Sequence, residues 1–242
     1  MKNTLIVGYG KEGEISKKYI EGNYPDFKIG IADKKFGGNY LKKQEDFDIA
    51  IKTPGIKKEL INIPYTTATN IFFSKIKELG NTIIGVTGSK GKSTTSSLIY
   101  SILQENGKNV KLLGNIGSPM LEIMAEPIRK DTIFILELSS YQLCDIEYSP
   151  DIAVVTNLFP EHMDFHAGLK NYYDAKKNII RFQNKSDIFV YNQNNSKVMD
   201  WARFAKGKVI PFADKNFLNR LDLPLMGEHN KDNIAAAIAV TR

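Results

Sequence analysis

Cysteine is nearly missing from this chain, with Cys144 the only one among 242 residues. A lone thiol leaves no internal disulfide to staple the fold, which fits a reducing compartment and points to the cytoplasm. Long apolar runs are missing too. None approaches the roughly 20 residues that a membrane-spanning helix needs, so no membrane partner is expected. The first residues, Met1 to Gly8, pass directly into a strand pattern and are read as leaving no room for a signal peptide. There is no lysine–arginine block and no interleaved aromatic platform. The formal charge of +6 is spread along the chain, so anionic small substrates and solvated lysine faces explain it better than nucleic acid does. Internal repeats and low-complexity tracts are absent. What is present is an ordinary globular composition, 42% hydrophobic and 25% charged. The length suits one large or two modest domains, and a monomer is expected.

The stretch from Gly85 to Thr95, Gly-Val-Thr-Gly-Ser-Lys-Gly-Lys-Ser-Thr-Thr, organises the rest. It follows the β-branched run Thr82-Ile83-Ile84 and precedes Leu98, Ile99, Ile102 and Leu103, which recur at helical spacing. Strand, glycine-rich turn and helix make a phosphate-binding loop. Its backbone N–H groups point at one oxyanion, and the helix N-terminus adds partial positive charge. Gly88, Ser89, Lys90, Gly91, Lys92, Ser93 and Thr94 would cradle a nucleoside triphosphate such as ATP. Lys92 would reach the outer phosphates and the Ser93 hydroxyl would ligate magnesium. The strict phosphate-loop pattern wants glycine where this chain has Val86, and the rest of it is kept.

An earlier strand, Leu5-Ile6-Val7, runs into Gly8-x-Gly10-x-x-Gly13. A helical stretch over 15–21 and a second strand over 28–32 follow, the strand ending in Asp33. This is the outline of a dinucleotide fingerprint, with Gly8 and Gly10 at a diphosphate and Asp33 at a ribose or base. As a strand-end residue Asp33 could equally serve a turn. A third strand over 47–51 ends at Thr53-Pro54-Gly55, where ligands bind in open α/β sheets or where a turn simply closes. A helix over 70–80 completes this half. The domain boundary falls near Gly80, giving 1–80 and 81–242. The fold class is α/β, a Rossmann-like first domain followed by a phosphate-loop domain with a mostly parallel sheet.

In the second half, strands are expected over 110–113, 132–138, 152–156, 188–191 and 209–212, with helices over 170–182, 197–205 and 234–240. Glu137 is a carboxylate at the tip of an apolar strand beside the phosphate loop. It is placed either to ligate magnesium or to sit buried in a structural pair. His162, past a strand end with Asp164 close by, suits a metal or phosphate role, although a lone histidine is more often structural. Taken alone, Lys176 reads as a solvated helix lysine.

Six motifs in order resemble the Mur ligases. They are the loop Thr87 to Thr95, Gly114-Asn115-Ile116-Gly117, Glu137 to Leu143, Glu161-His162-Met163-Asp164, Tyr172-x-x-Ala175-Lys176 and Gly227-x-His229-Asn230-x-x-Asn233. The block Glu-Leu-Ser-Ser-Tyr-Gln-Leu is most similar to the members that add D-glutamate. The resemblance implies an ATP-dependent amide ligase of peptidoglycan synthesis. ATP would phosphorylate the carboxylate of UDP-N-acetylmuramoyl-L-alanine, and the amine of D-glutamate would attack the acyl phosphate. It further implies two magnesium ions, one on Ser93 and Glu137, the other on His162 and a carbamoylated Lys176. Lys92, His162 and Lys176 would be the catalytic residues, and Asn115 would position substrate or phosphate oxygens. His229, Asn230 and Asn233 would line the nucleotide, while Gly8, Gly10, Asp33, Thr53 and Gly55 would bind the UDP-sugar.

Family members carry a third, C-terminal domain, and this chain ends at Arg242 inside an alanine-rich helical run. It therefore reads as a fragment, expected to be inactive alone. Two other readings stay open. One is a folate or polyglutamate ligase, the other a non-catalytic nucleotide-binding module.

Overall fold

The computed structural model describes residues 3–212, 218 and 227–242. They cluster into two compact units, Met1–Glu78 with Ser118–Ile128, and Leu79–Gly117 with Arg129–Arg242. The return of 118–128 to the first unit is an excursion that a single cut near residue 80 does not contain.

The first unit contains β1 (Asn3–Val7), α1 (Lys11–Asn23), β2 (Lys28–Ala32), β3 (Ile49–Lys52), β4 (Tyr65–Thr66) and α2 (Ala68–Leu79). Its strands pair in parallel in the order β2-β1-β3-β4. Successive side chains of β1 turn to opposite faces, as strand geometry requires. Leu5 and Val7 pack with Ala32, Tyr40 and Ala50, and Ile6 packs with Ile20 and Ile51. The third strand begins at Ile49, two residues later than its apolar run suggests. Phe47 instead closes a 3-10 segment over Tyr40–Asp46, and its ring fills the space a side chain on Gly30 would need.

The second unit runs β5 (Ile83–Thr87), α3 (Lys92–Glu105), β6 (Val110–Gly114), β7 (Ile133–Glu137), α4 (Ser140–Leu143) and β8 (Ile152–Val155). It continues through α5 (Met163–His166), α6 (Leu169–Arg181), β9 (Ile188–Asn192), α7 (Ser196–Met199), β10 (Lys208–Phe212) and α8 (Glu228–Thr241). All six strands are parallel, in the order β10-β9-β8-β5-β7-β6. Sheets of this kind are covered on both faces, which is why β5 is buried throughout. Ile84, Val86, Ile135, Val154 and Val190 form the strand side of one core, and Ile99 with Ala235, Ala236 and Ala237 form its helix side. The alanines let α8 lie close against α3.

The helix expected over 197–205 is two pieces. Asn195 caps α7 through its side chain, and a 3-10 turn over Ala202–Phe204 follows the buried Trp201. The final helix starts earlier than its apolar run, so 231–233 lie inside α8.

Candidate active site

In the second unit β5 is flanked in the sheet by β7 on one side and β8 on the other, and the crevice where strand order reverses is where open α/β sheets bind ligands. Gly88 to Gly91 form the turn between β5 and α3 there. Glu137 at the end of β7 is in register with Val86, and Val155 at the end of β8 with Thr87.

Side chains from other elements hold the turn. The Asn157 side chain accepts from Lys90 N at 2.9 Å and donates to Lys90 O at 2.9 Å, while Thr156 Oγ1 donates to Lys90 O at 2.7 Å. Ser89 Oγ donates to Phe159 O, accepts from Phe159 N and lies 2.9 Å from the Tyr172 hydroxyl. Gly91 has φ of +82°, in the left-handed region, and a Cβ there would lie 2.2 Å from Asn233 Oδ1. Only glycine fits. Ser93 and Thr94 stand in the first turn of α3, whose N–H groups have no intrahelical acceptors. Lys92 Nζ donates to Ser89 O at 2.7 Å, folding back over the turn.

The groups around the turn carry unusual electrostatics. Glu137 is almost fully buried, and Asn115 Nδ2 donates to its Oε1 at 2.8 Å. Its Oε2 is buried with no hydrogen-bond partner among the described residues. A buried, half-satisfied carboxylate beside a phosphate loop is the chemistry of a cation ligand. Lys176 is no solvated lysine. It is 2% exposed and donates to Gly88 O at 2.9 Å. Burial, reinforced by the positive charge of Lys92, pulls its pKa down to about 7, against the attraction of Glu161 and Glu137. Burial also lowers Lys92, again opposed by Glu137 and Glu161.

His162 caps α5 in a left-handed conformation, exposed, with its ring 5.2 Å from Tyr141 and 6.2 Å from Tyr172. Among the described residues no three His, Cys, Asp or Glu converge as a metal site. On α8, Asn233 is buried, its Oδ1 accepts from Thr95 Oγ1 and its Nδ2 donates to Asn230 Oδ1. His229 is exposed near the helix start, beside Gly227.

Three residues that the sequence reading passed over matter here. Asn157 clamps the turn. Tyr172 is fully buried with its hydroxyl on Ser89, and burial pushes its pKa up to about 12. His166 is buried between Ser140 Oγ at 3.0 Å and Cys144 Sγ at 3.6 Å. The Tyr-x-x-Ala-Lys spacing held the signal for Tyr172. Nothing local marks Asn157.

The first unit's glycine turn is built differently. Thr53 reaches back to Val7 O with both N–H and Oγ1, and its Oγ1 occupies the space a side chain on Gly8 would need. Asp33 accepts from the N–H groups of Tyr9 and Lys35, which hold its carboxyl below the usual range. It braces the turn it follows. Gly10 and Gly55 are exposed, with open space where a side chain would go. Glu12 and Glu14 lie in the first turn of α1. Burial raises Glu12 to about 7 despite the attraction of Lys52, and its Oε1 has no hydrogen-bond partner among the described residues.

Residues 86–221 match the Mur ligase middle domain. The chain belongs to the Mur ligase family. Among similar proteins, the UDP-N-acetylmuramoylalanine--D-glutamate ligase of Clostridium tetani is 32% identical over 258 residues, covering 97% of this chain and 56% of that protein. This Mur ligase chain spans about half the length of the curated relatives it matches. In fold it is similar to the UDP-N-acetylmuramate:L-alanyl-gamma-D-glutamyl-meso-diaminopimelate ligase from Neisseria meningitides, with a TM-score of 0.66 at 19% identity over 99% of this chain and 92% of that one. MurF from Thermotoga maritima, solved in complex with ADP, superposes with a TM-score of 0.56 at 17% identity, over 98% of this chain and 59% of that one. Both units are thus α/β layers of the Mur ligase kind. Among the described residues no helix is long and apolar enough to cross a membrane.

Proposed function

We propose that this chain is part of an ATP-dependent ligase that joins D-glutamate to UDP-N-acetylmuramoyl-L-alanine through an acyl phosphate, in the cytoplasm and as a monomer. The acceptor assignment leans on the D-glutamate ligases that share about a third of its residues. One observation carries the chemical reading. A cationic loop lysine, a half-satisfied buried carboxylate and a buried amine surround one glycine turn.

The reaction needs a carboxylate turned into an electrophile. A carboxylate oxygen attacks the γ-phosphorus of ATP and ADP leaves. The neutral D-glutamate amine then attacks the acyl carbon, phosphate departs with the electron pair of the broken C–O bond, and the new amide nitrogen gives up one proton to solvent. The turn N–H groups and Lys92 hold the transferring phosphoryl, and their charge counts for more where water is excluded. Lys92 must give up its own contact with Ser89 O to do so. Asn115 keeps Glu137 oriented. Asn233 and Asn230 support the nucleotide side of the turn, with His229 nearby.

Glu137 with Ser93, and His162 with Lys176, fit magnesium in their donor chemistry. Magnesium bound there would supply positive charge against the phosphate oxygens. Lys176 fits only as its carbamate. The neutral amine attacks the carbon of carbon dioxide, a C–N bond forms and a proton is lost, leaving an anionic oxygen ligand. A pKa near 7 leaves much of the amine neutral at physiological pH. Gly8, Gly10, Asp33, Thr53 and Gly55 would take the UDP-sugar, provided that Glu12 is neutral or turned aside.

Thermal melts of the chain with magnesium and ATP, adding UDP-N-acetylmuramoyl-L-alanine or a folate, test the assignment. The muramoyl substrate should raise the melting temperature and the folate should not. Stabilisation by folate alone would point to the polyglutamate-type reaction and overturn the reading.

A further inference from the structure

Neighbouring lysines on α6 meet different surroundings. Lys176 is buried against Gly88 O, whereas Lys177 reaches toward the surface with its Nζ 3.2 Å from the centroid of the Phe204 ring. Beside that contact opens a cleft of about 460 Å³ lined by Asp174, Lys177, Asn178, Ile180, Arg181 and Phe204. That volume is in the range of small-molecule pockets.

The charge in the cleft is one-sided. Arg203 stacks on Phe204 from 5.2 Å, adding a third cation to Lys177 and Arg181. The one acid in the lining, Asp174, is engaged by Lys170 at 2.9 Å. Among the described residues Lys177 and Arg181 form no ion pair with a carboxylate; their close partners are the rings of Phe204 and Phe182. Burial lowers the Lys177 pKa, Asp174 opposes the shift and Arg203 adds to it. Phe204 itself is half exposed, at 50%. The half-exposed ring and the cations grouped about it thus offer a stacking face and positive charge at one cleft.

We propose that this cleft binds a small organic anion with a flat ring, its charge met by Lys177 and Arg181 and its ring laid against Phe204. A guanidinium takes a carboxylate or phosphate through two parallel N–H bonds, and an exposed phenyl offers a stacking face. The site shares no residue with the phosphate turn and does not depend on the ligase reading.

Phenyl phosphate is the probe, titrated calorimetrically into the intact 242-residue chain, with inorganic phosphate run in parallel. Binding of phenyl phosphate should be equal in the wild type and Lys92→Ala. It should weaken about tenfold or more in Lys177→Met/Arg181→Gln and several-fold in the single, exposed Arg181→Gln. Inorganic phosphate, lacking the ring, should bind about tenfold more weakly than phenyl phosphate to Lys92→Ala. Three results would overturn the proposal. They are no binding up to about 10 mM, undiminished affinity in both cleft variants, and loss of binding in Lys92→Ala alone, which would put the probe on the phosphate turn.

Discussion

Both units run a buried central strand into a glycine turn and then a helix, β1 to α1 around Gly8–Gly13 and β5 to α3 around Gly88–Gly91. Their helix starts differ in sign. α3 opens on Lys92, Ser93 and Thr94 with no acid in its first turn, whereas α1 opens on Lys11 with Glu12 and Glu14. A helix N-terminus favours negative charge, and in α1 the protein's own carboxylates already occupy that position. The second turn is clamped by Thr156, Asn157, Tyr172 and Asn233. The first is braced by Thr53 and Asp33 and leaves Gly10 open. The same glycine spacing is therefore set in two different surroundings, which differ in the charge at the helix start and in the side chains behind the turn.

The sharpest way to break the contrast is to add one methyl group to each turn. Gly91→Ala must adopt a left-handed conformation and push a Cβ into Asn233, for an expected loss of about 2–5 kcal/mol. Gly10→Ala meets nothing in an extended conformation and should stay within about 0.5 kcal/mol of the wild type. Urea denaturation of both variants checks this, and equal losses would dissolve the distinction.

A second test uses the buried amine. Lys176 has a folded-state pKa near 7 against an ordinary 10.5. Between those values the unfolded chain binds more protons, so stability rises with pH across the window and its cost is fully present below it. From about pH 7.5 to 9.5 the gain should be about 1–3 kcal/mol. Lys176→Met should flatten that slope, as read from urea midpoints at the two pH values.

Glu12 is the mirror case in the first turn. Its pKa is raised from 4.5 to about 7, so the folded chain keeps the proton longer and stability falls as pH climbs through that window. Partial exposure moderates the effect. Glu12→Gln should match the wild type near pH 4 and be about 1–2 kcal/mol more stable near pH 8. The same variant should bind UDP more tightly at the higher pH, with calorimetry as the check. The smallest effect belongs to the clamp: Asn157→Ala should cost about 1 kcal/mol and weaken nucleotide binding several-fold.

Much of this was legible in the chain. The apolar β-branched runs marked nine strands because parallel sheets bury both faces, and Glu137 stood out as the single charge in its run. Lys176 did not stand out. Its burial comes from where α6 lies beside the phosphate turn, and the resemblance of the Tyr172–Lys176 spacing was its only sign. Asn157 and Glu12 were hidden for the same reason: one is an unremarkable loop residue and the other a helix-surface type, and only packing makes a clamp of one and a desolvated acid of the other. The two-residue strand β4 and the excursion over 118–128 are too short to show a period.

The central claim is that the Gly88–Gly91 turn, with Lys92, binds the phosphates of a nucleotide. Thermal melts of the wild type and Lys92→Ala, each with and without ATP and magnesium, test it directly. Among the described residues Lys92 donates only to Ser89 O and is itself desolvated, so its removal should leave the ligand-free melting temperature nearly unchanged. ATP with magnesium at about 100 times its dissociation constant should stabilise the wild type by about 2.7 kcal/mol, and that gain should vanish in Lys92→Ala. A ligand-free variant melting several degrees lower, or one that ATP still stabilises fully, would contradict the claim.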